Sequence, residues 1–495
     1  MRSILVIFTL TASLSPLLTF AHLWQLKEWR WDRLREHFRH TGWFRQLFGI
    51  TRPSIVLFFL ISNFIPSPIS HISSLTGLVV LSVVNSIQII LHRQPCPVWT
   101  KKAITLTITS LLLTSLTAYL PLPLIFLPLL QPFFLVLSWT LFKPLDHILK
   151  QRILQRAKNL RSQFPHLTVI GITGSAGKTT TKELLAHILD DKHLLVTPEH
   201  VNTEMGVAQW FIRNAEPACR QAGVELLIVE MGAYKKGEIR TLCDIVQPSI
   251  GIITSIGTQH MALFGSQKNL LDAKAELIES LPKNGHAFIN GDSPFSDTLT
   301  ARSPCPCTTI CASQIEEKPD GLHFILDTTS FDVPLHGLHN ITNILLAVST
   351  AEYLGLSRER IAQRLRTFSP LSQTFTVREE HGVALLDNTH NLSPESFRES
   401  IRWAQSQQGS PKVLLTSGII ELGHLQDAVH EDLGAACADV FGRVIFLDQR
   451  SAKHFAKGFG KDIEILSSQT LSIPKGSLLV CNGRMTSQTI QKLLP

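Results

Sequence analysis

The sequence predicts an α-helical membrane region followed by two α/β domains. Two observations predict this: five apolar runs of membrane-spanning length lie before residue 150, and short strand-like runs alternate with helix-length segments after residue 160. A chain of 495 residues has room for about three domains at roughly 150 residues each. We therefore expect a membrane region over 1–150, a first α/β domain over 151–370 and a second over 371–495. With 44% hydrophobic and 17% charged residues, the composition excludes a disordered chain.

The five apolar runs cover 3–22, 54–70, 74–91, 103–120 and 122–142. Each has about the length that crosses a hydrocarbon layer of ~30 Å. The second run is the weakest, because Asn63, Pro66 and Pro68 interrupt it, and it could be re-entrant. Pro121 alone joins the fourth and fifth runs, so we expect a tight hairpin there.

Lysine and arginine predict the orientation of these spans. They concentrate over 24–53, between the third and fourth spans and after the fifth, whereas the links at 71–73 and 121 have none. Because basic links stay on the cytoplasmic side, we expect a multi-pass protein of the plasma (inner) membrane with its N-terminus outside and both α/β domains in the cytoplasm. The alternative, a cleaved signal peptide over 1–22, would place the basic segments outside.

The segment 24–53 interleaves tryptophans with arginines. Trp24, Trp29, Trp31 and Trp43 are typical of an interfacial amphipathic helix held by anionic headgroups, and a solvated loop is the alternative. This segment accounts for much of the net charge of +7 without a nucleic-acid partner. The chain has no base-reading motif and no zinc finger.

Seven apolar runs after residue 160 predict strands of parallel sheets with crossover helices. They are 168–172, 225–230, 249–254, 383–387, 412–417, 444–448 and 478–481.

The eight cysteines are scattered in a way that predicts reduced thiols. The exception is the cluster of Cys305, Cys307 and Cys311, for which His323 would be a fourth metal ligand. Its spacing fits no zinc pattern, and we interpret these residues as ordinary loop cysteines.

The strongest local motif is a phosphate-binding loop between the first of these strands and a helix. Backbone N–H groups of such a loop and of the helix N-terminus cradle phosphate, the lysine reaches the β- and γ-phosphates, and the following threonine holds Mg²⁺. Ile172 stands where the standard pattern has a glycine, so this is a variant loop, and we expect it to bind ATP. Its residues are Gly174, Ser175, Ala176, Gly177, Lys178, Thr179 and Thr180.

Three further residues are informative beside a nucleotide. Glu230 ends a buried-type strand at the edge where open α/β sheets bind ligands, His260 follows the next strand, and Lys274 lies on a predicted helix. Alone, they would be a helix cap, a loop residue and a solvated lysine. Their order in the chain favours a metal–nucleotide site.

In that order, the chain from about 166 to 440 resembles the Mur ligase family, with a P-loop-type central domain and a Rossmann-like C-terminal domain. The matching stretches are 171–180, 200–206, 230–233, 237–239, 254–257 with His260, 264–265, 274–276, 337–343, 387–391 and 421–423. The resemblance implies an ATP-dependent acid–amino-acid ligase of peptidoglycan precursor synthesis. ATP converts a carboxylate to an acyl phosphate, which an amine then attacks.

The resemblance also implies roles for individual residues. Thr179 and Glu230 would hold one Mg²⁺, His260 and a carbamylated Lys274 would organise a second, and Lys178 would act on the phosphates. On the nucleotide, His339, Asn340 and Asn343 match the adenine-side motif, and Asp387 matches an acid of the C-terminal domain. The implied partners are a muramoyl-peptide precursor, UDP-linked or lipid-linked, a D-alanyl-D-alanine-like amine and membrane lipids.

This chain departs from the family pattern at both ends. The membrane region stands in place of the family's first domain, which holds the UDP end of the precursor. Four C-terminal motifs are altered, at 372–373, 387–391, 417–419 and 481–484. These changes leave open another amine, a lipid-linked acceptor, or a nucleotide-binding membrane scaffold that does not ligate. A transporter is disfavoured, because the spans lack intramembrane charges.

Overall fold

The chain divides into two compact units, Met1–Gln151 and Arg152–Pro495. The computed structural model describes residues 2–49, 51–62, 70–91, 94–120, 123–221, 223–257, 261–310, 315–318, 320–370, 373–389, 392–407, 411–419, 422, 425–447, 449–466 and 471–495.

The described part of the first unit is helical. Its helices are α1 (Arg2–Leu26), α2 (Trp31–Thr41), α3 (Trp43–Phe48), α4 (Thr51–Ser62), α5 (Ser70–Ile90), α6 (Lys101–Thr117) and α7 (Gln131–Arg161), with a 3-10 turn at Leu124–Phe126. Helix α1 packs against α5 and α6. Among the described residues, one helix is long and apolar enough to cross a membrane, over Ile4–Leu26, with a mean hydropathy of 2.0.

Polar side chains join the helices of this unit through hydrogen bonds. Asn85 Nδ2 donates to the carbonyl of Ala12 at 2.6 Å, and the hydroxyls of Ser110 and Ser138 lie 3.0 Å apart. Gln131 Nε2 donates to Thr114 Oγ1 at 3.0 Å. In a lipid environment the hydrophobic effect does not drive helices together, so hydrogen bonds of this kind contribute to helix association.

The segment 24–53 differs from its prediction. It does not form one helix, since α1 continues to Leu26 and Gly42, at φ 77°, ends α2. Trp24 is fully buried, with its ring 5.2 Å from that of Trp139, so it belongs to the core of the unit. Trp31 and Trp43 are exposed, as an interfacial role requires.

The fifth predicted span, 122–142, also differs. Helix α7 begins only at Gln131 and continues through 150 to Arg161. The prolines at 123 and 128 explain the late start, because proline lacks an N–H and restricts the residue before it. Pro121, the expected hairpin residue, lies outside the described residues, as does the interruption at 63–69 in the second span.

The second unit begins with a parallel six-stranded sheet, in the order β2-β3-β1-β4-β5-β6. Successive residues of its central strand alternate between two apolar cores: Val169 faces one core, and Ile170 and Ile172 face the other. The strands are β1 (Thr168–Thr173), β2 (Leu194–Val196), β3 (Leu226–Glu230), β4 (Ile250–Ile253), β5 (His286–Asn290) and β6 (Cys307–Ile310). The helices between them are α8 (Lys178–Ile188), α9 (Glu204–Gln221), α10 (Glu238–Val246), α11 (Met261–Phe264), α12 (Gln267–Glu279) and α13 (Ser296–Ala301).

A small antiparallel sheet follows, formed by β7 (Ile315–Lys318), β8 (Gly321–Leu326) and β9 (Thr329–Val333). Helices α14 (Asn340–Tyr353) and α15 (Arg358–Leu365) then contribute to the second core.

The C-terminal sheet also has six strands, in the order β10-β11-β15-β12-β13-β14. Edge strand β10 is antiparallel and the others are parallel. The strands are β10 (Thr376–Glu380), β11 (Val383–Asn388), β12 (Lys412–Thr416), β13 (Arg443–Phe446), β14 (Glu464–Ile465) and β15 (Leu478–Asn482). Its helices are α16 (Pro394–Ser406), α17 (Gln426–Cys437), α18 (Gln449–Phe459) and α19 (Ser487–Gln491). All seven predicted strands are present, and the prediction of parallel α/β sheets is confirmed.

Candidate nucleotide and metal site

The phosphate loop lies between β1 and α8, at the carboxyl edge of the central sheet. Gly177 has φ 82° and directly precedes the helix, a backbone conformation that glycine adopts at little cost. A Cβ there would lie 2.1 Å from Asn343 Oδ1, and one at Gly174 would lie 2.0 Å from Thr254 Oγ1. Both glycines are therefore required by close packing around the loop.

Three hydrogen bonds fix the loop to the segment after β4. The N–H of Ser175 donates to the carbonyl of Ser255 at 2.8 Å, and the N–H of Ala176 donates to Ser255 Oγ at 2.9 Å. In return, Gly257 N–H donates to Ser175 Oγ at 3.1 Å. The first intrahelical bond of α8 runs from Thr181 N–H to Gly177, so the N–H groups of 177–180 have no acceptor within the helix and can receive an anion.

Lys178 is the cation of this loop. Its Nζ donates to the carbonyls of Gly174 at 2.9 Å and Ser175 at 3.1 Å. Burial lowers the pKa of Lys178, and the charge of Glu230 opposes that shift. The ammonium is thus held over the backbone that would cradle a phosphate.

Glu230 ends β3 and is buried. Its Oε2 accepts a hydrogen bond from Thr179 Oγ1, and its Oε1 accepts one from Asn202 Nδ2, both at 2.9 Å. Burial opposes ionisation, but the charges of Lys178 and Lys182 and these two hydrogen bonds together hold the pKa of Glu230 below its usual value. The result is a buried carboxylate beside a threonine hydroxyl.

Lys182 is a site residue that sequence reasoning missed. It is fully buried on α8, with Nζ 3.7 Å from Glu230 Oε2 and donating to the carbonyl of Thr197 at 2.9 Å. Thr197 Oγ1 in turn accepts from the N–H of Glu230 at 3.0 Å. The spacing of one helical turn from Lys178 was the available signal, since residues i and i+4 share a helix face.

Lys274 is buried on α12, where it has no hydrogen bond or ion pair with a described residue. Burial and the nearby charge of Lys178 lower its pKa to about 7, against the opposing effect of three glutamates, Glu238, Glu230 and Glu276. Two of these are engaged elsewhere: Glu276 accepts from the N–H of Gly237 at 2.6 Å, and Glu238 accepts from that of Tyr234 at 2.7 Å. A large share of the amine is therefore neutral near neutral pH.

The expected adenine-side residues lie at the start of α14. Asn343 Nδ2 donates to Asn340 Oδ1 at 3.0 Å, and Asn343 Oδ1 accepts from Thr181 on α8 at 3.4 Å. His339 packs its ring 5.0 Å from that of Phe375. Its Nδ1 is buried without a hydrogen-bond partner, and burial lowers its pKa.

Asp387 lies at the carboxyl end of β11 in the C-terminal sheet and is buried. Its Oδ2 accepts from Arg378 Nη1 at 2.9 Å, and its Oδ1 accepts from Thr389 Oγ1 at 2.7 Å. His260, expected to organise a second metal, lies outside the described residues. So do Ser372, His390 and Asn391 of the altered motifs and Glu421 of the matching stretch 421–423. The structure therefore brings Lys178, Thr179, Glu230 and Lys274 to one sheet edge and leaves His260 undescribed.

Comparison with known proteins agrees with this geometry. Residues 172–351, which include the loop, Glu230, Lys274 and Asn343, match the model of the Mur ligase middle domain. The chain is similar to UDP-N-acetylmuramoyl-tripeptide–D-alanyl-D-alanine ligases of Bacillus subtilis (27% identical, 63% of this chain, 72% of the relative) and Escherichia coli (28%, 69% and 79%). The corresponding ligase of Synechocystis sp. is 32% identical over 56% of this chain and 61% of its own length.

Solved structures give the same result. MurF from Acinetobacter baumannii superposes with a TM-score of 0.61 at 25% identity, over 69% of this chain and 79% of that one. MurF from Thermotoga maritima in complex with ADP has the same fold, with a TM-score of 0.61 at 24% identity over 70% and 82% of the two chains.

Residues 172–351 thus match the Mur ligase middle domain, and the chain is similar to Mur ligases over 69% of its length. The predicted Mur-type, ATP-dependent acid–amino-acid ligase is confirmed by the domain match and by the similar ligases. The chain spans only about three fifths of the length of some ligases that it matches.

A charged network joins helix α16 to the small antiparallel sheet and to the loop before α14. On α16, Glu399 Oε1 accepts from the N–H of Leu338 at 2.8 Å and pairs with Arg402, which also pairs with Glu317 of β7. Glu317 accepts in turn from the N–H of Gly337 at 2.7 Å. The loop that leads into His339 is thereby fixed from both the small sheet and the C-terminal sheet.

The cysteine cluster forms no metal site among the described residues. His323 pairs with Asp332 at 2.8 Å and Asp320 at 3.0 Å. Cys311 lies outside the described part of the chain.

Proposed function

We propose that the protein is a membrane-anchored, ATP-dependent amide ligase that adds D-alanyl-D-alanine to a muramoyl peptide by way of an acyl phosphate. The observation that carries this proposal is the group of Lys178, Thr179, Glu230 and Lys274 at one sheet edge. Three of them are lysine or glutamate side chains whose pKa values are shifted by burial and by one another, which is typical of catalytic centres.

The chain's own residues would position ATP. The N–H groups of 177–180 would receive the phosphates, and Lys178 would turn from the loop carbonyls towards the transferring phosphoryl group, stabilising its charge. Asn343 and His339 would lie on the adenine side, with Asp387 contributed by the C-terminal domain. No protein nucleophile is needed, because the substrate carboxylate and the incoming amine make and break the bonds.

Mg²⁺ fits the donor set of this edge. Thr179 and Glu230 offer hard oxygen ligands 2.9 Å apart, as Mg²⁺ prefers, and His260 would contribute to a second ion. Bound Mg²⁺ would supply charge neutralisation on the phosphate oxygens. Asn202 would keep Glu230 oriented through its 2.9 Å hydrogen bond.

Lys274 is suited to carbamylation. Its neutral amine can add CO₂, forming an N–C bond and releasing one proton, which converts a buried cation into an anion that suits a metal site. A plain ammonium there would repel Mg²⁺. The lowered pKa supports this proposal, since only the neutral amine reacts.

The substrates are proposed from the relatives, whose names specify a UDP-muramoyl tripeptide and D-alanyl-D-alanine. A lipid-linked muramoyl peptide is the variant that a membrane anchor favours. A nucleotide-binding scaffold that does not ligate is the second candidate, supported by the altered C-terminal motifs.

We propose five membrane spans in a domain over 1–150, followed by ligase domains over 151–370 and 371–495. Among the described residues, every exposed large apolar side chain except Ile325 and Tyr353 lies before residue 150. Such a concentration exceeds what soluble surfaces carry, and it supports a bundle that faces lipid. The basic segments at 24–53 and after residue 142 support a bundle with its N-terminus outside.

The ligase proposal is tested by phosphate release from detergent-solubilised, full-length protein. Mg-ATP is combined with UDP-linked or lipid-linked muramoyl tripeptide and with D-alanyl-D-alanine or single amino acids. We expect release with only one muramoyl peptide, together with D-alanyl-D-alanine, and none from a Lys178→Ala control. ATP binding without release for any pair would favour the scaffold.

The topology is tested separately with a reporter fused after residue 150. A cytoplasmic signal is expected. An external signal would contradict the five-span arrangement and leave the ligase proposal unaffected.

A further inference from the structure

A cleft of about 510 Å³ lies at the surface of the second unit, and no residue of the phosphate loop lines it. The last three turns of α7 form one wall, and α9 contributes Ile212. The α7 residues are Arg152, Gln155, Arg156, Asn159 and Leu160, and Gln163 lines the cleft just after the helix ends. Its lining includes two arginines and no carboxylate.

The two arginines differ from Lys150, Lys158 and Arg161 on the same helix. Lys150 and Lys158 pair with Asp146 and Asp244, each at 3.0 Å. Arg161 is buried and donates to the carbonyls of Val246 and Leu167. Arg152 and Arg156 are exposed and have no ion pair or hydrogen bond with a described residue. Their charge is therefore available to a ligand.

The remaining lining narrows the chemistry of that ligand. Gln155 Nε2 donates to Asn159 Oδ1 at 2.9 Å, which leaves the Asn159 amide N–H groups as further donors. Leu160 and Ile212 form an apolar floor. The lining has no aromatic ring on which a base could stack. Two guanidinium groups and amide donors beside two apolar side chains suit a phosphate ester that carries an apolar group.

We propose that this cleft binds the phosphate headgroup of an anionic membrane lipid. Arg152 follows the last apolar residue of the fifth predicted span, Phe142, by ten positions on the same helix, and juxtamembrane arginines are attracted to anionic headgroups. The inference rests on the membrane anchor of the proposed function, and it adds a lipid site that holds the ligase domains at the membrane surface.

The test measures binding of dihexanoyl-phosphatidylglycerol to detergent-solubilised, full-length protein by native mass spectrometry. The test variant is R152Q/R156Q. The matched control is K283Q/K492Q, which removes two charges from exposed lysines outside the cleft. We expect the test variant to bind about thirtyfold more weakly, from two headgroup-facing charges, and the control to bind like the wild type. R152K/R156K should retain most of the affinity.

Other probes identify a different occupant. Equal affinity of the wild type and R152Q/R156Q for the lipid would overturn the proposal. So would tighter binding of inorganic phosphate or of a short single-stranded RNA that is lost in the same variant. Because the probe lipid is soluble, the result does not depend on the topology reporter, so failure of the lipid site and failure of the membrane anchor are distinguishable.

Discussion

The two six-stranded sheets carry buried charge at their carboxyl edges in different ways. At the central sheet, Lys178, Lys182 and Lys274 surround Glu230. At the C-terminal sheet, Asp387 is paired with Arg378 and Thr389. Beside it, Asn388 Nδ2 donates to Ser400 Oγ at 3.0 Å and to Asn482 Oδ1 at 3.2 Å.

The difference indicates how each edge is used. An excess of buried cations is costly unless a ligand supplies negative charge, so the central edge is suited to a polyphosphate. At the C-terminal edge, the charge of Asp387 is already balanced by Arg378. Similar parallel sheets can therefore differ in how far the protein's own side chains neutralise the charge at their strand ends.

The largest expected effect is at the central edge. Lys178→Ala should reduce turnover by about 10²–10³-fold, because it removes a charge aimed at the transferring phosphoryl group. Phosphate release measures this loss. Arg378→Met is the contrast: it should lower the melting temperature, because Asp387 stays buried without its partner, while turnover per folded molecule falls much less. Unchanged turnover in Lys178→Ala would refute the phosphate-loop assignment.

Lys274→Ala should be nearly inactive and partly rescued by a short carboxylic acid that replaces the carbamate. Phosphate release with and without added acid measures the rescue. The wild type should also lose activity in CO₂-depleted buffer and regain it with bicarbonate. Full activity of Lys274→Ala without added acid would argue against carbamylation.

The same lysine predicts a pH-dependent stability. Its folded pKa is about 7 and its unfolded value is near 10.4, so burial of the amine destabilises the fold most below pH 7. That penalty shrinks as pH rises towards 10. In CO₂-depleted buffer, Lys274→Met should therefore raise the free energy of unfolding at pH 7 by on the order of a few kcal/mol. Thermal unfolding at pH 7 and pH 10 should show the gap closing, whereas a constant gap would contradict the expected titration.

Lys182→Met should move the acid limb of the pH–rate profile to higher pH. Lys182 helps to keep the pKa of Glu230 low, and the ionised carboxylate is needed to hold a metal. Lys182→Arg, which keeps the charge, should shift the limb less. The measurement is kcat/KM against pH at saturating Mg²⁺. If the acid limb of Lys182→Met does not move, Lys182 contributes only to packing and does not affect the ionisation of Glu230.

The smallest effect is expected where helix α16 contacts the small antiparallel sheet. Arg402→Met removes the partner of Glu399 and Glu317 and should raise the KM for ATP a few-fold with little change in kcat, because the loop before His339 becomes less ordered. Steady-state kinetics with ATP as the varied substrate separates the two constants. A fall in kcat alone would show that this network serves the chemistry instead.

Much of the fold was predictable from the sequence, because buried parallel strands are apolar along their length. The small sheet was missed because its first strand is not apolar. Strand β7 reads Ile-Glu-Glu-Lys, and it forms a strand through its hydrogen bonds to β8. In the first unit, the length of the apolar run could not predict where α7 ends. The helix continues past residue 142 into a charged stretch, where the helix propensity of the residues decides its length.

Site residues were predictable where a sequence motif requires one residue type for one ligand, as with Lys178 for phosphate and Thr179 and Glu230 for Mg²⁺. Asn202 and Lys182 were not predicted to contact Glu230, because their side chains reach it only through the tertiary fold. The shifted pKa of Lys274 likewise depends on charges from four different elements of the chain.

The contact between Gly177 and Asn343 constrains how this chain can diverge. A methyl group at position 177 would lie 2.1 Å from the amide oxygen of Asn343, while that same amide is bonded to Asn340. A lineage that replaced the glycine would first need a shorter side chain on α14, and that change alone would break the Asn340 contact. Each single step is unfavourable, so the two positions can change only together.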